Sequence, residues 1–175
     1  MKKILGLALM VLFIASNCFA FFKVENEQAI LEDMYANPYN YIYYGAASTG
    51  FSFYYYKPSV DVKKYEPPNY IIAIRSLTRH TIPGENITSD KIIRFKYNYD
   101  SRKMWIETLD EDRKNLIWKQ VDPTKSKNYH DDNLVAAGEV LFYLAYKISF
   151  FDKPLTEPAK AIVSGNPIIF EPYNK

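Results

Sequence analysis

Between Ile92 and Tyr99 apolar and polar side chains alternate with period two: Ile93, Phe95, Tyr97 and Tyr99 on one side, Arg94, Lys96 and Asn98 on the other. That is the signature of a strand with one buried face. It belongs to a series. Tyr70–Thr78 is apolar on both faces at its start, as a central strand is. Met104–Leu109 and Leu116–Val121 follow, separated by the polar turns Asp100–Lys103 and Asp110–Asn115. Upstream, Tyr39–Tyr56 reads as a hairpin, with aromatic runs at Tyr41–Tyr44 and Phe51–Tyr56 around the small segment Gly45–Gly50. Lys57-Pro58 is expected to end the second run, Ser59–Lys63 to form a short edge strand, and Glu66-Pro67-Pro68-Asn69 to break the chain. His80–Thr88 reads as a loop.

Only one long helical stripe follows. Leu134, Ala137, Gly138, Leu141, Leu144, Ala145 and Ile148 recur at helical spacing. Asp131 or Asp132 is the expected N-cap, and Lys147 sits where a cation suits the helix dipole. A short helix is expected around Ile30–Tyr35, stopped by Asn37-Pro38. Pro154, Pro158, Pro167 and Pro172 exclude a long helix from the C-terminal tail, where Ile168–Phe170 could add an edge strand. Strands first and a helix late predict an α+β fold, an antiparallel meander sheet packed against one C-terminal helix. No alternating βα units occur, which argues against a Rossmann or barrel enzyme.

The N-terminus reads as an address. Met1-Lys2-Lys3 is cationic, Ile4–Ala15 is uninterruptedly apolar, and Ser16–Ala20 turns small and polar. This is the order of a secretory signal peptide, and the run falls short of the about 20 residues of a membrane span. Cleavage is expected after Ala20, with Cys18 at −3. A lipid anchor on Cys18 is the alternative, disfavoured by Asn17 beside it. The expected organisation is a signal peptide at 1–20, an N-terminal segment at 21–38, a sheet-plus-helix domain at 39–151 and a proline-rich tail at 152–175. The expected destination is the periplasm or the extracellular space, with no transmembrane segment after cleavage.

Removing residues 1–20 takes Lys2 and Lys3 and no acid, which turns 22 basic against 20 acidic residues into 20 against 20, and it also removes the single cysteine. The remaining chain is neutral and thiol-free. It can form no disulfide or Cys-based metal site, and it lacks the basic excess of a nucleic-acid binder. No Gly-x-Ser-x-Gly elbow, phosphate loop, Gly-x-Gly-x-x-Gly or His-Glu-x-x-His occurs. His130-Asp131-Asp132 is the one tight cluster of ligand types and offers a hydrolase or metal reading, against a plain capping role for the acids. Glu107, Asp110, Glu111 and Asp112 could be glycosidase carboxylates, yet the last three lie in a polar turn. His80 beside Arg79 reads as a loop histidine. Arg75, Arg79, Lys91, Arg94, Lys96, Arg102 and Lys103 read as a solvated face, and Asn86-Ile87-Thr88 fits a glycosylation sequon. No catalytic residue, cofactor or metal site is assigned.

The aromatic crowding is the stronger signal. The chain has sixteen tyrosines. Tyr43, Tyr44, Tyr54, Tyr55 and Tyr56 form a candidate binding surface, because adjacent strand residues point to opposite faces and some rings must leave the helix-covered one. The competing reading is that tyrosine is simply a good strand former.

Tyr43-Tyr44-Gly45, Phe53–Val60, the strand Ile71–Leu77, the hairpin Ile93–Asp100 with Arg102–Ile106, and the helix Leu134–Ile148 together resemble bacterial surface-adhesin E-like exported proteins, over about Tyr41–Phe151. The resemblance implies a non-enzymatic exported domain that binds an unknown surface or envelope component. It carries over no site residues. A structural envelope protein without a ligand is the alternative.

Overall fold

The computed structural model describes residues 26–47, 49–82, 84–125 and 129–167, with the backbone path alone at 125, 129 and 130. Six strands form one sheet: β1 (Tyr41–Ala47), β2 (Phe51–Glu66), β3 (Asn69–His80), β4 (Asn86–Asn98), β5 (Lys103–Leu109) and β6 (Leu116–Val121). Each pairs antiparallel with its neighbour in sequence, so the sheet is a meander. Among the described residues three α-helices accompany it: α1 (Glu27–Ala36), α2 (Tyr129–Tyr146) and α3 (Glu157–Val163). The fold is α+β.

The alternation of β4 sets the layers. Phe95 and Tyr97 are buried beneath α2, with Ile93 and Tyr99 packed around them, while Arg94 and Lys96 face away. Ile42, Tyr55, Ile72, Ile74 and Met104 join the α2-side core, against Val140, Leu141, Phe142 and Leu144 of the helix. Two buried hydroxyls reach into α2: Tyr55 donates to the Ala137 carbonyl at 3.0 Å and Tyr97 to the Gly138 carbonyl at 2.9 Å. Burial holds both phenols well above their ordinary pKa, since neither can shed its proton without stranding a charge.

The opposite face is covered as well, which the expectation of one packed helix missed. Ile30, Leu31 and Met34 of α1 close a second core over Tyr41, Tyr54, Leu77 and Ile87. Polar contacts fasten α1 there: Tyr41 donates to Asp33, Tyr35 to Glu85, and the Ile87 amide to Glu27 at 3.0 Å. The periodicity of α1 named the right residues, yet local pattern cannot show that a ten-residue helix lies under the sheet. The tail also enters the core. α3 is short, as four prolines require, and buries Ala159 and Ile162. The compact unit therefore draws on residues that the sequence placed in flanking segments. Ile168–Phe170, the possible edge strand, lies outside the described residues.

Four boundaries differ from the sequence reading. β1 continues through Gly45 to Ala47 by means of a bulge between Tyr43 and Gly45. β2 runs on past Lys57-Pro58, because its register slips between Tyr56 and Asp61 and proline is tolerated at a bulge. Ser59 fills the gap in the ladder: its hydroxyl donates to the Tyr56 carbonyl at 2.7 Å and accepts from the Arg75 amide at 2.8 Å. β4 starts at Asn86, which puts the sequon inside a strand with Ile87 buried. Finally, α2 begins at Tyr129, so Asp131 and Asp132 occupy its first turn rather than the cap. There they still oppose the helix dipole. The helix closes at Lys147, which has φ 59° and an amide bonded to the Tyr143 carbonyl at 2.8 Å.

Gly138 lets α2 sit close over β4 and β5. A Cβ there would collide with the Met104 thioether and come within 3.2 Å of the Phe95 ring. Gly138→Val is expected to lower the unfolding free energy by about 2–3 kcal/mol through overpacking. That loss would come despite recovering part of the roughly 1 kcal/mol that glycine costs a helix. Gly138→Ala should fall close to neutral, since the flexible Met104 end can swing aside. Urea unfolding followed by tryptophan fluorescence reads both; equal stability of the Val variant and wild type would show that α2 is not pressed onto β4 and β5 here.

Candidate functional site

The tyrosine hairpin is largely interior. Tyr55 is fully buried on the α2 side, with its ring 4.3 Å from that of Tyr44. The buried Tyr44 hydroxyl bonds to Ser76 Oγ at 2.8 Å, and burial pushes its pKa up to about 12 against the opposing pull of that bond. Tyr54 is buried on the other face beneath α1. Tyr43 and Tyr56 are half-buried and lie against Tyr54 and Tyr41, with centroids 5.8 and 5.2 Å apart. The five rings are split between two cores and do not make one exposed patch. The strand alternation correctly sends them to both faces; what it could not show is that α1 covers the second.

Asp131 and Asp132 do not converge, whereas Glu107, Asp110 and Glu111 line one concavity. Asp131 lines a cleft with Lys119 and Leu134, whereas Asp132 lines another with Tyr43–Ala46 and Thr156. The His130 side chain lies outside the described residues. Glu107 pairs with Arg94. Asp110 holds its own turn by accepting from the Lys114 amide and the Asn115 side chain, each at 2.8 Å, and the first of these chiefly lowers its pKa. His80 is not in a loop. It ends β3, stacks on Phe51 with centroids 4.2 Å apart and bonds Thr49 O through Nε2 at 3.1 Å. Among the described residues, no group of three or more His, Cys, Asp or Glu is placed to hold a metal ion. Nor is any helix among them long and apolar enough to cross a membrane.

The cations read as a solvated face are mostly engaged. Arg75 grips Asp90 through two bonds of 2.7 Å, Arg79 pairs with Glu85 at 2.7 Å and Arg102 with Asp152 at 3.2 Å. Lys96 stands over two indoles, 4.6 Å from the ring centre of Trp105 and 5.4 Å from that of Trp118. Lys91 belongs elsewhere: it lines a trough on the α2 side of the sheet.

That trough is a broad concavity with a coherent lining. α2 lies closest to β1–β3, so the far ends of β4, β5 and β6 stay open beyond its first turns. Ile93, Ile106 and Leu134 supply the apolar floor and wall, with Lys91 and Lys119 at the sides. The widest compartment encloses about 680 Å³. It runs on into a cleft of about 290 Å³ under the first turn of α2 and another of about 130 Å³ reaching Tyr44, Ser76 and Thr78. Acidic Glu107, Asp110, Glu111 and Asp131 line it together with the lysines and Arg113, so its charge is mixed. Only one hint of it was present in the sequence. Ile93 and Ile106 fall on the same sheet face as the core, yet the helix stripe is too short to reach every strand.

The fold and trough together define an α+β domain with an open concave face among the described residues. No protein-family model matches the sequence, and neither a curated protein nor a solved structure shows significant similarity to it.

Proposed function

We propose that the protein is exported and acts by binding rather than by catalysis, with the trough between α2 and β4–β6 as its contact surface. The observation that carries this is the trough itself, a continuous apolar floor flanked by exposed polar groups on a rigid sheet. Ligand sites are generally built in this way. The apolar run behind Lys2-Lys3 supports export, and the resemblance to surface-adhesin E-like proteins supports an envelope or surface component as partner. Phosphoryl, acyl and glycosyl transfer each need acids, bases or nucleophiles convergent in a cleft. Here Asp131 and Asp132 line different clefts; Glu107, Asp110 and Glu111 reach the trough, but Glu107 pairs with Arg94 and Asp110 holds its own turn.

A second reading, an envelope protein with a purely structural role, draws on one observation: Tyr44, Tyr54 and Tyr55 serve packing. One experiment separates the two. Fluorescently labelled protein is titrated onto whole cells and envelope fractions, comparing wild type, the trough variant Leu134→Ser with Lys119→Glu, and the remote surface variant Lys64→Ser. The trough variant should bind about tenfold or more weakly, the effect of losing one good apolar or polar anchor, while the Lys64 variant binds as wild type. Indistinguishable binding by all three would remove the trough from the proposal, and no binding by any would favour the structural role. Fractionation with mass measurement of the mature N-terminus tests export: a start at Phe21 supports it, and a lipidated Cys18 would place the protein on a membrane.

A further inference from the structure

The two edges of the sheet are finished differently. Along β1, the Asn133 side chain donates to the Ala46 carbonyl at 2.9 Å, and Leu155–Pro158 lie alongside Tyr43–Ala46. At the other edge, β6 pairs only with β5 among the described residues. Its backbone direction can be read off one bond. The Asn115 carbonyl accepts from the Asp110 amide at 2.9 Å, so Asn115 points towards β5. In an antiparallel ladder this alternates, so Ile117, Lys119 and Val121 also turn inward, and Leu116, Trp118 and Gln120 aim their N–H and C=O groups outward. The strand is strongly β-forming and apolar, with Leu116 63% and Ile117 43% exposed. Proteins usually blunt such an edge with a bulge, proline, covering segment or charged side chain, and on β6 only Lys119 is of that kind.

We propose that β6 pairs antiparallel with β6 of a second copy of this chain, extending the sheet across a two-fold axis at Trp118. Charge selects both the occupant and the register. With Trp118 opposite Trp118, Leu116 faces Gln120, Ile117 faces Lys119, and Asp122 comes beside Lys114 of the second copy at both ends. Sliding by two residues one way sets Lys119 against Lys119, like charges directly opposite, and the other way leaves only Leu116–Trp118 of the two strands overlapped. A slide by one residue would turn the outward-facing groups out of register. In the central register both troughs open on the same side of the joined sheet. A six-residue edge is small, so the association belongs to the weak, concentration-dependent class that buries less than about 1,200 Å².

The pairing makes a geometric prediction that other dimers do not share. Facing Trp118 Cα atoms would stand about 5.5 Å apart, within disulfide range, whereas the two Leu116 positions, four residues out of step, would be about 13 Å apart. In a Cys18→Ser background, Trp118→Cys should form a covalent dimer under mild oxidation at a rate about tenfold or more above Leu116→Cys, as proximity allows. Sedimentation velocity of the wild type should show a monomer–dimer equilibrium. Gln120→Pro removes an outward N–H and no bond to β5, so it should abolish the dimer while the circular dichroism of the monomer is kept. A wild type that stays monomeric at every concentration overturns the proposal. So does a dimer that survives Gln120→Pro, or crosslinking that is as fast at residue 116 as at 118. If Gln120→Pro fails to fold, the crosslinking comparison alone decides.

Discussion

Phe142→Ala is expected to lower the unfolding free energy by about 3–5 kcal/mol, the cost of emptying a large aromatic from a closed core. Phe142 projects from the middle of α2 and is almost fully buried. Its ring lies 5.0 Å from Tyr97, 5.1 Å from Phe150, 5.0 Å from Tyr146, 5.6 Å from Tyr99 and 5.7 Å from Tyr70. Rings from β3, β4, α2 and the segment after it therefore meet on one side chain. Such pairs add about 0.5–1.5 kcal/mol each beyond burial, and neighbours this large cannot collapse into the space left behind. Phe142→Leu keeps most of the volume and should cost roughly half as much or less. Urea denaturation monitored by tryptophan fluorescence and by circular dichroism gives both values. A loss below about 1 kcal/mol for the alanine variant would mean that the cluster can rearrange and is not the centre of the fold.

Glu139→Gln should release the C-terminal segment from α2 and change how stability depends on pH. Glu139 is buried on α2, and its two oxygens receive three donors from one short stretch. Oε1 accepts from the Leu155 amide at 2.7 Å; Oε2 accepts from the Thr156 amide at 3.0 Å and from the Thr156 hydroxyl at 2.7 Å. Thr156 in turn caps α3 by accepting from the Ala159 amide. A glutamine has one acceptor oxygen, so one side of this clasp would face an amide NH₂ and lose its bond. An orphaned buried donor costs about 1–3 kcal/mol, felt first as faster amide exchange and proteolysis around residues 152–163.

The pH effect follows from burial, which raises the Glu139 pKa above its ordinary value and outweighs the donors and nearby Lys160 that pull it down. A carboxyl with a raised pKa in the folded protein binds its proton more tightly folded than unfolded. Its favourable contribution is therefore present below the unfolded pKa and is lost as pH rises through the folded one. In the window just above the ordinary glutamate value, wild-type stability should fall with rising pH relative to Glu139→Gln, in which no such group titrates. Urea midpoints between pH 4 and 8 for the two proteins test this; a constant difference across the range would show that Glu139 keeps an ordinary pKa.

Strand identity was legible from period two in β4, because one of its faces is buried and the pattern records that directly. The α2 stripe was legible for the same reason at period 3.6. Ends were less so. Pro58 looks like a stop until the Ser59 hydroxyl is seen repairing the ladder, and that repair depends on a partner sixteen residues away, Arg75. The candidate site shifted for a related reason. Tyrosine density marked the hairpin, but density is a one-dimensional quantity and exposure is not. Tyr54 points away from α2 as the alternation requires, and is still buried because α1 returns over that face.

The sequence alone thus settled what is local: strand order in a meander of short turns, the inward face of β4, one long amphipathic helix, and an N-terminal apolar run set apart from the rest. These follow from backbone geometry and side-chain periodicity, both of which act between near neighbours. The tertiary structure decided which faces are covered, where α2 stops short of β4–β6, and which edge has no further strand beside it among the described residues. Each of these depends on where distant segments come to rest. Apolar burial is non-directional, so it rewards covering a face without specifying which segment does so.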